Sequence, residues 1–188
     1  MPRAKSVSDE AVLDAALRVM NLHGPQALTF AAVGKEAGLS PATLVQRHGT
    51  RENLLRAALL RAWDLLDAQT QAAASAAGPG ADGAVDLLLR LSASDDYDPW
   101  GPGLLLLYED MRDPALRRRG VAWGGVLQAE LGERLGGHSE EHKRLRGRLL
   151  ASQWQGAMLW WGFSREGRLV DYLEGELRQW CAECLPDQ

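Results

Sequence analysis

LTFAAVGKEAGLSPATLVQRHGTRENL, residues Leu28 to Leu54, carries the densest local signals in the chain. It reads as a helix, a tight turn, a second helix and the start of a third, longer one. Thr29 can cap the first helix, its hydroxyl accepting from an otherwise unpaired backbone N–H. Ala31–Val33 and Lys35–Ala37 are good or tolerable helix residues, while Gly34 costs about 1 kcal/mol of helix propensity. Gly38 ends the helix because glycine takes the left-handed conformation that other residues avoid. Leu39 plugs the corner. Ser40 caps the next helix, and Pro41 sits in its first turn, where a missing N–H costs nothing. Leu44 is its inward residue, and Ala42, Thr43, Gln46 and Arg47 face outward. Two short helices joined by a glycine-containing turn, the second with a polar outer face, make a helix-turn-helix candidate.

The rest of the chain continues in helices. Ile is absent, Val, Tyr and Phe are sparse, and Ala, Leu, Arg, Glu and Gln dominate the 188 residues, so an all-α fold is expected. No apolar run follows the basic start MPRAKSVSDE, which points to a cytoplasmic protein. Net charge is −4, but it is unevenly spread. Residues 1–56 hold seven Lys/Arg against five Asp/Glu, and the remainder fourteen against twenty. A mildly basic N-terminal unit on an acidic body suits a protein that offers one end to phosphate.

Before the quoted stretch, residues 1–7 read as an arm carrying Arg3 and Lys5. A first helix follows from Ser8 to near His23-Gly24-Pro25, with Val12, Ala16, Val19 and Met20 on one face. After it, a long helix starts near Thr50 or Arg51 and runs to the break at Gly78-Pro79-Gly80. Further helices are expected at about Ala81–Leu91, Gly103–Met111, Pro114–Leu135 with Asp113 as cap, Ser139–Phe163 and Arg168–Cys184. A polar loop, Ser92 to Pro99, carries Asp95, Asp96 and Asp98.

Val12-Leu13, Ala15-Ala16, Gly24, Thr29, Ala37-Gly38-Leu39-Ser40 and Thr43-Leu44 fall where the TetR family of bacterial transcription regulators has its pattern, so residues 8 to 60 resemble that family. The resemblance implies an N-terminal three-helix bundle with a helix-turn-helix (residues 1–55). It further implies a C-terminal helical ligand-binding and dimerisation domain (residues 56–188). The implied function is ligand-responsive transcription regulation. A repressor binds a palindromic double-stranded DNA operator as a homodimer and is released by a small apolar or aromatic effector.

The second helix of such a motif puts its first residues against base edges in the major groove. Pro41, Ala42, Thr43, Gln46 and Arg47 would face the DNA, Gln46 suited to adenine and Arg47 to guanine or phosphate. Thr29, Ser40, His48 and Arg51 complete the expected DNA-binding set, with Thr29 and Arg51 on backbone phosphates. Two positions depart from the family pattern. Val45 stands where a Tyr is usual and His48 where a Phe is usual, which leaves open a TetR-like binding module with lost or altered DNA recognition.

Seven Trp against two Phe and three Tyr suggest an aromatic pocket, most of the Trp otherwise serving as core. The candidates are Trp63, Trp100, Leu104, Tyr108, Trp123, Leu127, Trp154, Met158 and Trp161. Acids at Asp95, Asp96, Asp98, Glu109 and Asp110 could instead draw a cation. Ala151, Trp154, Gly156, Ala157, Met158, Trp160 and Trp161, with Leu169, Val170, Leu173, Leu177 and Trp180, make apolar stripes on the last two helices, suited to a dimer surface. His138-Ser139-Glu140-Glu141-His142 has the spacing of some zinc proteases, but no third ligand is evident. Cys181 and Cys184 share a helix face and are expected reduced. Arg117-Arg118-Arg119 reads as a solvated face. There is no phosphate-cradling loop, nucleophile elbow or acid–base set, so no enzyme, metal or cofactor is expected.

Overall fold

A computed structural model describes residues 7–93 and 100–185 and, where the chain resumes at 100, side chains from Gly103 onward. Arg3, Lys5, Asp95, Asp96, Asp98 and the Trp100 side chain, all singled out by sequence, lie outside the described residues. The described chain is all-α, as expected: α1 (Asp9–His23), α2 (Phe30–Ala37), α3 (Pro41–His48), α4 (Arg51–Ala76), α5 (Gly80–Ser92), α6 (Trp100–Arg112), α7 (Pro114–Leu135), α8 (Glu140–Ser164) and α9 (Leu169–Cys184). The caps fix the starts. Ser8, Thr29, Ser40 and Ser139 accept from Ala11, Ala32, Thr43 and His142 N–H at 3.0–3.2 Å. Asp113 Oδ1 accepts from Ala115 N–H at 2.7 Å.

Two details differ from the expected boundaries. α6 begins three residues before Gly103, because a proline in the first helical turn removes no needed bond and Pro102 can be included. Pro25–Ala27 forms a short 3-10 turn rather than a plain stop.

By packing, the chain divides into two compact units, Met1–Leu65 with Ser94–Gly120 and Leu66–Ala93 with Val121–Gln188. α4 and α7 each contribute to both. In the first unit α1 packs on α2 and α6, and α2 on α3. Val12, Ala15, Ala16, Met20, Leu28, Val33, Leu44, Leu54, Ala58 and Leu116 close its core. In the second unit α9 packs against α5 and α8 around Leu87, Leu88, Leu127, Leu131, Leu150, Leu173 and Leu177. α7 and α8 meet backbone to backbone there: a Cβ at Gly147 would collide with the Gln128 carbonyl oxygen. No helix among the described residues is long and apolar enough to cross a membrane.

The α2–α3 corner explains Gly34. Gly38 adopts φ 69°, and its N–H and that of Leu39 both donate to the Gly34 carbonyl. The chain folds back so tightly that a Cβ on Gly34 would stand 2.6 Å from the Leu39 carbonyl oxygen. Gly34 is therefore required by the corner, although propensity alone counts it as a cost. Gly34→Ala should lower stability by about 1–3 kcal/mol, as overpacking does, despite its better helix propensity. A thermal melt showing an unchanged or raised midpoint would contradict this.

Candidate functional site

α3 is oriented by one buried residue. Leu44 is fully buried, which turns Pro41, Ala42, Val45, Gln46 and Arg47 outward and leaves Thr43 and His48 half-buried. Ser40 Oγ lies 2.8 Å from Thr43 Oγ1, so these two hydroxyls are already engaged with each other. Thr29 is exposed at the start of α2. Thr29, Ser40, Pro41, Ala42, Thr43, Gln46, Arg47, His48 and Arg51 all belong to the first unit. Val45, 45% exposed, joins the outer face. By sequence Val45 counted only as a departure from the usual Tyr, but an exposed isopropyl group there can meet a thymine methyl.

The two arginines behave differently. Arg47 Nη1 donates to the Val7 carbonyl oxygen at 2.8 Å and to Asp9 Oδ1 at 3.2 Å, tying α3 to the start of α1. The Asp9 side chain is 75% exposed, and such solvent-screened pairs contribute at most about 1 kcal/mol, so a phosphate or base can compete for Arg47. Arg51, expected at a backbone phosphate, reaches inward. Its Nε donates to the Leu28 carbonyl at 2.8 Å and its Nη2 to the Pro25 carbonyl, both partly buried. Hydrogen bonds from a charged donor are worth about 1.5–3 kcal/mol each, so Arg51 is a brace between α4 and the α1–α2 connection. His48 Nε2 is buried, with no hydrogen-bond partner among the described residues.

The aromatic candidates fall in both units. In the first, Trp63 Nε1 donates to Asp110 Oδ1 at 3.1 Å, and Leu104 and Tyr108 are exposed on α6. In the second, Trp123 and Trp154 are buried with ring centroids 6.4 Å apart. Each has its N–H matched to a hydroxyl: Trp123 to Thr70 at 2.9 Å, Trp154 to Ser92 at 2.8 Å. Leu127, one helical turn after Trp123, is buried as well, and Met158 and Trp161 are half-buried. Arg165 lies over the Trp161 ring at 5.0 Å.

Two open grooves are lined by other residues. One, about 430 Å³, lies in the first unit between the starts of α4 and α7 and the end of α6, walled by Arg51, Glu52, Arg56, Glu109, Arg112 and Asp113 with Leu55 and Leu59. The other, about 490 Å³, lies in the second unit along α8 and α9. Sequence periodicity could not find either, since each is made by residues from separate helices. The His138 and His142 rings lie with centroids 4.0 Å apart, tilted by 40°. Burial, then His138 and Arg146, hold His142 below its usual pKa. No group of three or more His, Cys, Asp or Glu side chains is placed to hold a metal among the described residues.

The model of bacterial regulatory proteins of the tetR family matches residues 12–58, from α1 into α4 and across the whole of the α2–α3 corner. Over those residues the chain carries the N-terminal DNA-binding module of the tetR family. Its fold is similar to a putative transcriptional regulator from Saccharomonospora viridis solved in complex with choline (TM-score 0.75, 18% identity, 95% of this chain and 97% of that one). It is also similar to a TetR-family transcriptional regulator from Streptomyces coelicolor (TM-score 0.63, 25% identity, 92% and 97%). A third similar structure is the multidrug binding protein EbrR complexed with imidazole (TM-score 0.66, 21% identity, 95% of each chain). No curated protein matches the chain. The helix-turn-helix within residues 12–58, matched by the model of bacterial regulatory proteins, supports a DNA-binding transcriptional regulator.

Asp110 yields a pH prediction. Burial raises its pKa above the usual carboxylate range, partly offset by the Trp63 N–H that it accepts. A carboxyl raised in the folded state costs stability above the ordinary carboxylate pKa and costs nothing below it. Asp110→Asn, which keeps an acceptor for Trp63, should therefore raise the melting temperature at pH 7. The gain should vanish as the pH falls below the ordinary carboxylate range; a gain independent of pH would refute the charge explanation.

Proposed function

We propose that this protein is a TetR-family repressor that binds a palindromic operator as a homodimer and is released by a small, apolar or aromatic effector. The observation that carries the DNA reading is the outer face of α3, where Leu44 anchors the helix and Ala42, Val45 and Gln46 stand exposed. In this reading residues 1–55 bind DNA. Gln46 pairs with adenine, Ala42 and Val45 meet thymine methyls, Thr29 holds a phosphate, and Arg47 leaves Asp9 for guanine or phosphate. Residues 56–188 bind the effector and dimerise.

Homodimerisation is supported by the apolar side chains that α8 leaves in solvent, Leu145, Leu149, Leu159, Trp160 and Phe163. An effector is supported by the Trp-rich second unit and by the small molecules, choline and imidazole, held by two proteins of similar fold. Two recognition helices must lie about 34–36 Å apart to enter successive major grooves. An effector that favours a different spacing lowers DNA affinity by the difference in its own affinity for the two states.

A second reading, a TetR-like module with altered DNA recognition, is favoured by one observation: Arg47 and Arg51 both make hydrogen bonds inside the first unit. Gel shifts with DNA flanking the protein's own gene separate the two. The repressor reading expects preference for an inverted repeat over its scrambled form, and loss of about 1–3 kcal/mol of that preference in Gln46→Ala. Equal binding to repeat and scramble would leave the altered module. A compound that shifts the melting temperature should also weaken the shift; if none does, the effector switch is wrong.

A further inference from the structure

We infer that Asp9, together with the Val7 carbonyl, is an internal competitor for DNA at Arg47 and so sets how tightly α3 holds a duplex. The inference rests on the DNA reading above and adds a residue of α1 that regulates the α3 face.

Arg47 is the sole Lys or Arg of α3. Its exposed neighbours on that helix, Ala42, Val45 and Gln46, carry no charge. Arg51, the next cation along the chain, is turned inward onto the Leu28 and Pro25 carbonyls. Arg47 is therefore the charge through which α3 itself can attract a phosphate. That attraction is independent of base sequence and supplies a large share of DNA affinity.

The charge is already answered from α1. Nη1 of Arg47 donates to the Val7 carbonyl at 2.8 Å and to Asp9 Oδ1 at 3.2 Å. Both acceptors are held in place without Arg47. The first carbonyl in the α1 ladder is that of Ser8, which accepts from Val12 N–H, so the Val7 carbonyl lies just outside the ladder. Val7 itself packs on the core of the first unit. Asp9 stands in the first turn of α1, where the positive end of the helix dipole favours a carboxylate. The start of α1 thus offers Arg47 a pair of oxygen acceptors, one of them anionic, as a phosphate does.

The contact can be exchanged. The Asp9 side chain is 75% exposed and that of Arg47 27%, so solvent and DNA both reach the pair. Only Nη1 is engaged; among the described residues Nε and Nη2 have no acceptor. A phosphate can take that free edge in a bidentate contact before Nη1 leaves Asp9. Carboxylate and phosphate then compete for one cation. The duplex gains the affinity of Arg47 for phosphate less its affinity for Asp9, and the complex is held weaker than α3 alone would make it.

A double-mutant cycle tests this on the full chain. Binding is measured by fluorescence anisotropy, at one ionic strength, to an inverted repeat from the DNA flanking the protein's own gene and to its scrambled form. Asp9→Ala should tighten binding to both by about fivefold, the upper end for release of an exposed ion pair. Glu10→Ala removes the same charge from the same turn, but the Glu10 carboxylate acts on Arg61, so it should change little. In an Arg47→Ala background, Asp9→Ala should do no more than Glu10→Ala. Asp9→Asn, which keeps a polar side chain in the first turn, repeats the test should Asp9→Ala disturb α1. A brace would give the opposite sign: if Asp9 steadies Arg47 for DNA, its removal weakens binding, and that result or no change overturns the inference. A gain that persists without Arg47, or that Glu10→Ala matches, also overturns it, since either marks general charge repulsion. Equal binding of the wild type to repeat and scramble counts against the operator reading alone, because either duplex reports the competition. No binding by any variant overturns both.

Discussion

Helix α3 is eight residues long, and a helix that short does not hold its shape in water without tertiary packing. Its form is imposed by what surrounds it. Ser40 caps its start, Leu44 anchors its inner face, the Gly34–Leu39 approach sets the angle at which it leaves α2, and Arg47 ties its end to α1. The core of the first unit is in effect a mount for this short run of exposed side chains. A DNA-reading surface needs that rigidity, because base contacts depend on displacements well below the length of a side chain.

The same economy of parts explains the arginines. A cation near the DNA end of a regulator can serve phosphate or can serve the fold. Arg51, with two backbone carbonyls as acceptors, serves the fold, whereas Arg47 is held by an exposed carboxylate and is only lightly committed. Favouring one partner over another by about 1 kcal/mol changes occupancy about fivefold, so this difference in anchoring separates a lightly held guanidinium from a firmly held one. In the second unit the tryptophans divide in the same manner. Trp123 and Trp154 are buried with their N–H groups matched to Thr70 and Ser92, as packed interiors require. Trp160 is left two-thirds in solvent beside Phe163, outside that packed interior.

The helices and their caps were legible from the sequence because their causes are local. A Ser or Thr a few residues before the N–H it accepts, a Gly after the last turn and a Pro in the first are constraints that lie close together along the chain. The direction of Arg51 was not legible, since its acceptors lie 23 and 26 residues earlier. Nor was the need for Gly34, which arises only when the chain doubles back on Leu39. The expected pocket residues shared an apolar, mostly aromatic character, but the two grooves are walled by residues that share only proximity.

An all-helical chain, the helix-turn-helix at Leu28–Leu54 and Leu44 as its anchor were all written in the order of the residues. Which cations face solvent, which tryptophans are core and which stretch of α8 is left uncovered were settled only when the helices packed. The difference is one of range. Capping and periodicity act along the chain and can be read from neighbours, whereas burial and ion pairing depend on which distant segments come within a few ångströms.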